Sequence, residues 1–123
     1  MSTKSFVTQP FSKSAFTSSS DIVLVGINGE DVLWMTFLVG VANLSAFTVE
    51  MRVNEDGGWA SIASVAADYT TPEGPLLGAS SDLTTAAFGS TVHFLRLDVR
   101  GVRTVRIKAA GTASTITGHY SLA

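Results

Sequence analysis

Residues 92–109 read Val-His-Phe-Leu-Arg-Leu-Asp-Val-Arg-Gly-Val-Arg-Thr-Val-Arg-Ile-Lys-Ala, and their alternation sets the fold class. From Val92 to Val99, one face collects Leu95, Leu97 and Val99 while Arg96 and Asp98 fall on the other, the period of two of a half-buried strand. Beyond Arg100-Gly101, where glycine tolerates positive φ, the pattern repeats: Val105, Ile107 and Ala109 alternate with Thr104, Arg106 and Lys108. The two runs predict a hairpin at Arg100-Gly101. Ala110-Gly111-Thr112 turns the chain again, and a third strand over 114–122 sets Ile116, Tyr120 and Leu122 on one side.

Upstream the texture is the same. Strand-like runs cover Ile22 to Ile27, Val32 to Val41 and Phe47 to Val53, and the Asn28-Gly29 pair between the first two is a hairpin signal. In the third run Phe47, Val49, Met51 and Val53 oppose Thr48, Glu50 and Arg52. The turn Asn54-Glu-Asp-Gly-Gly58 reverses it into Trp59 to Val65, a weaker strand. Residues 66–89, punctuated by Pro72, Gly74, Pro75 and Gly78, hold no clear element beyond a possible short helix from Ser81 to Phe88. About seven to nine short strands with regularly spaced turns imply an all-β protein, an antiparallel β-sandwich or jelly roll.

At 123 residues the chain suits one hydrophobic core. It is 46% hydrophobic but only 15% charged, against roughly 25% in an ordinary domain. Abundant Ala supplies part of that hydrophobic fraction. The rest fits a subunit whose faces are covered by neighbours. No run reaches the length of a membrane span, the longest candidate being Val32 to Leu44 with Thr36, Gly40 and Asn43 inside it. The first residues lack the apolar core of a secretory signal. With no cysteine, disulfides, thiolate metal sites and cysteine nucleophiles are excluded.

Residues 1–20 are half Ser and Thr and read as an extended N-terminal arm attached to a sandwich domain of 21–123. Phe6, Phe11 and Phe16 recur along it as anchors for docking on a partner. The alternative is that Phe6 to Phe11 is a first strand packing on the domain's own core. Charge is partitioned as well: residues 21–82 hold nine acids and one base, Arg52, whereas Arg96, Arg100, Arg103, Arg106 and Lys108 face Asp98 alone. Such halves can pair head to tail between copies, so these five cations, with Trp59, form a candidate interface. A net charge of −2 argues against nucleic acid as the partner of that basic segment.

Little points to catalysis. The acids cluster in turns, and no Gly-x-Ser-x-Gly elbow is present. His93 and His119, the two histidines, could meet only if their strands pair, and two imidazoles fall short of a usual zinc set. The expectation is a non-enzymatic protein without cofactor or metal. Trp34 and Trp59 could form a sugar-stacking platform. Among Leu33, Met35, Phe37 and Leu38, Trp34 is expected in the core, whereas Trp59, after Gly57-Gly58, is expected to be exposed.

The segment LRLDVRGVRTVRIKAAGTASTITGHYSLA, residues 95–123, resembles the ends of small tailed-bacteriophage virion proteins, in which a strand ending in a DV-x-G turn precedes a VR-h-x-A strand and a Ser/Thr-rich last strand. The likeness extends more loosely to Trp34 through Phe47. It implies a capsid decoration or cement protein in the virion, assembled in the host cytoplasm. Its partners would be the major capsid protein or other virion subunits, with self-association, for instance as a trimer. A tail or neck component, or a host-surface carbohydrate-binding module, are the alternatives.

Overall fold

The structure, a computed structural model, describes residues 7–14, 20–41, 44–61, 76–79, 92–111 and 114–123. They form nine strands: β1 (Val7–Ser14), β2 (Ser20–Gly26), β3 (Val32–Gly40), β4 (Ala46–Arg52), β5 (Ala60–Ser61), β6 (Leu76–Ala79), β7 (His93–Asp98), β8 (Thr104–Ala110) and β9 (Thr115–Leu122). One sheet has the order β1-β9-β3-β7-β6 and the other β2-β8-β4-β5, with antiparallel pairing throughout.

That order is a jelly roll. Strands β1 to β4 alternate between the sheets, β4 and β5 pair as a hairpin, and β7, β8 and β9 alternate again. The late strands therefore insert between the early ones, β9 between β1 and β3 and β8 between β2 and β4, which is the double Greek key of this architecture. Strand β6 is an addition at the edge beside β7.

The alternation read from the sequence is the burial pattern of the strands. Leu33, Met35, Phe37 and Val39 of β3 and Leu95 and Leu97 of β7 point into the sandwich from one sheet. Phe47, Val49 and Met51 of β4 and Val105, Ile107 and Ala109 of β8 meet them from the other. The Phe37 and Phe47 rings stack 5.5 Å apart across this core, and the buried His93 ring lies 5.3 Å from Phe37. His93 thus stacks on the Phe37 ring in the core.

Two expected hairpins are corrected. Gly29 (φ 87°) and Gly101 (φ 76°) do take the positive φ expected of their turns. The flanking strands do not pair, however: β2 and β3, like β7 and β8, belong to different sheets. Each turn arches over the end of the sandwich, because both flanking strands present one apolar face and those faces meet across the core.

The arm is corrected over its described part. Residues 7–14 are an edge strand in continuous register with β9, from Val7 opposite Leu122 to Ser14 opposite Thr115. The alternative of a first strand on the domain's own core holds there. Phe11 lies opposite Gly118, packs against the core and sits 6.5 Å from the Tyr120 ring. Lys13 then donates to the Asp21 carbonyl across the sandwich edge, at 2.8 Å. Phe6 and Phe16 lie outside the described residues, as do the helix considered over 81–88 and most of the expected loop 66–89, of which 76–79 is β6.

Candidate functional site

The basic segment is divided among three places. On the outer face of the four-stranded sheet, β8 runs between β2 and β4, so its outward cations stand beside their outward acids. Arg106 is opposite Glu50 and Lys108 is paired with Asp21. Arg106 bonds Glu50 at 2.8 Å, with both side chains about four-fifths buried, and Asp21 stands 3.9 Å away. Trp59 lies half-buried at this face with the Arg106 and Arg52 guanidiniums 4.2 and 4.5 Å from its ring centroid. At the end of the sandwich, Arg103 pairs with Glu55 at 3.0 Å. Arg100 holds Asp98 at 2.8 Å, and its guanidinium hydrogen bonds, helped by its backbone N–H, lower the Asp98 carboxyl to about 2.

This arrangement corrects the charge argument. Acids from 21–82 do meet bases from 96–108, but within one chain, because the jelly-roll order threads β8 between β2 and β4. The attraction that motivated head-to-tail pairing is spent internally at Arg103 and Arg106, while Arg100 is taken by Asp98 of its own segment.

Arg96 is on the opposite surface, the outer face of the five-stranded sheet. Its Nη2 donates to the Leu77 carbonyl at 3.3 Å, and its guanidinium lies 5.1 Å from the Trp34 ring centroid. The two tryptophan expectations are therefore reversed: Trp34 is 41% exposed, whereas Trp59 is half-covered by arginines. Trp34 faces outward because β3 alternates, with its inward positions already taken by Leu33, Met35, Phe37 and Val39. Phe94 lies 6.4 Å from Trp34, and Leu38 and Val92 are exposed farther along the same face. Reading the parity of Thr36 and Gly40 in VLWMTFLVG, which mark the outward side, would have placed Trp34 and Leu38 there.

Beside Trp34 the surface dips into a shallow hollow of about 130 Å³, walled by Thr8, Trp34, Thr36, His119 and Ser121. The register explains the grouping. Ser121 is opposite Thr8 on one side and Trp34 on the other, and His119 is opposite Thr36. His93 and His119 do not meet, since β3 separates their strands and one side chain is buried while the other is exposed. A second, wider cleft at the end of the sandwich is lined by residues of the 27–31 and 100–103 turns and Val53.

No protein-family model matches the chain, and no curated protein matches it in sequence. Among solved structures, the crystal structure of SPBc2 prophage-derived protein YomS is similar, with a TM-score of 0.59 and 11% identity over 99% of this chain and 97% of that one. The likeness is one of fold. It spans both chains almost end to end, so it includes the edge strand β1 as well as the sandwich.

Proposed function

We propose that this chain is a non-enzymatic structural protein of a bacteriophage particle, a capsid decoration or cement subunit that binds the assembled major capsid lattice and stabilises it. The observation that carries the reading is the jelly roll shared over nearly the whole length with a prophage-derived protein. The virion-like wording of residues 95–123 and the charge-poor composition support it. Binding the lattice in preference to free subunits turns binding free energy into resistance to disassembly.

The attachment area we assign is the apolar end of the five-stranded sheet, where Leu38, Val41 and Val92 are exposed at 39%, 66% and 58%. Burying them removes apolar surface from water without breaking an internal ion pair. Self-association on the particle, as in a trimer, would use the same apolar surface, since the arginines are engaged within the chain. The test is co-sedimentation of the purified protein with assembled heads, with tails and with free capsid subunits. Association with heads alone is expected, with loss in Leu38→Asp and Val92→Asp variants that still melt cooperatively. Association with tails alone would assign the protein to the tail or neck.

A further inference from the structure

We propose that the hollow beside Trp34 binds a neutral pyranose sugar. Three strands build it: Thr8 from β1, Trp34 and Thr36 from β3, and His119 and Ser121 from β9, all brought together by the pairing register. A pyranose has an apolar face of C–H groups and a rim of hydroxyls that both donate and accept. An exposed indole offers a flat apolar wall for the face. Three hydroxyl groups and an imidazole offer donors and acceptors for the rim.

Size and charge select the occupant. At about 130 Å³ the hollow is well below the 300–1,000 Å³ of cofactor and drug sites, and suits a single ring. Its lining holds no carboxylate, lysine or arginine. An ionic ligand would therefore give up hydration with no carboxylate, lysine or arginine in the lining to replace it. A protein side chain or a second copy would cover the Thr and Ser hydroxyls with apolar surface, at the cost of leaving them without partners. A sugar matches both the wall and the rim.

The indole is also held in place before any ligand arrives. Arg96 stands 5.1 Å from its centroid and is itself tied to the Leu77 carbonyl, while the Phe94 ring lies 6.4 Å away. A wall that is already ordered lowers the entropy cost of binding. The site is distinct from the apolar end assigned to particle attachment, so either assignment can fail without the other.

The test is an NMR titration of the full chain with glucose, galactose, mannose and N-acetylglucosamine, each added separately. At least one sugar is expected to give saturable shifts at the Trp34 indole N–H and at the Thr8, Thr36, His119 and Ser121 amides, with Kd of about 1 mM. Trp34→Ala should weaken binding at least about tenfold. Thr36→Val, which keeps the side-chain shape, should also weaken it, and Trp59→Phe should leave it unchanged. The proposal is overturned if none of the four sugars shifts these signals, if Trp34→Ala and Thr36→Val both bind like the parent, or if the same signals move on dilution without sugar. The last result would mark the face as a contact between copies.

Discussion

Gly118 is where β9 comes closest to β3: a Cβ there would run into the Thr36 carbonyl oxygen and the Phe37 backbone. Gly118→Ala should therefore destabilise the fold by about 1–3 kcal/mol in urea unfolding. Val41 presents the opposite case, a β-branched residue held at φ 72°. Since that conformation costs a non-glycine residue about 1–2 kcal/mol, Val41→Gly should raise stability by about 1 kcal/mol. At Asp98, the hydrogen bonds from Arg100 put the folded carboxyl near 2, below its usual 3.8. The contribution of this pair is thus present above the unfolded value and lost as pH falls from about 4 towards 2. An NMR titration should find the Asp98 midpoint near 2, and Arg100→Ala should return it towards 3.8. The arginines are also unequal: Arg106→Ala, which removes a largely buried ion pair and a stacked cation, should cost about 1–2 kcal/mol. Arg103→Ala, which breaks an exposed pair, should cost less than about 1 kcal/mol.

Strand β1 carries the sharpest departure from a sequence reading. Its Ser/Thr-rich composition resembles a tether, yet eight consecutive residues pair with β9 and Phe11 packs on the core. Composition hides this because an edge strand needs only one apolar side chain facing inward, and Pro10 is tolerated where one edge is unpaired. Deleting residues 2–14 should expose the edge of β9 and strip the Phe11 contact, broadening or abolishing the cooperative thermal transition. Phe11→Ala alone should cost about 1–3 kcal/mol. Strand β6 lay in a stretch whose prolines and glycines hide any alternation, whereas β2, β3, β4, β7, β8 and β9 were readable within two residues, because period-two alternation is local. Their pairing was not. A glycine turn such as Gly29 or Gly101 reports a change of direction, but whether the next strand joins the same sheet depends on β8 and β9, which arrive some 80 residues later than β2 and β3. The outward position of Trp34 was missed for a related reason: in an almost wholly apolar run, hydrophobicity does not say which parity is inside, and only Thr36 and Gly40 mark it.

The sandwich as a whole joins two differently finished surfaces. The outer face of the four-stranded sheet carries internal ion pairs and the arginines around Trp59, with Leu24 exposed beside them, whereas the outer face of the five-stranded sheet leaves Trp34, Leu38, Val92 and Phe94 accessible to solvent. The adhesive role proposed above would use a surface of the second kind, which the paired strands of the five-stranded sheet present. The claim that this chain is a subunit of a phage particle is tested most directly by the quantitative protein composition of purified particles of the phage that carries the gene. The account predicts the protein in the particles at a fixed, multiple copy number per head, retained through density-gradient purification. Its abundance in the lysate together with its absence from purified particles would contradict the account.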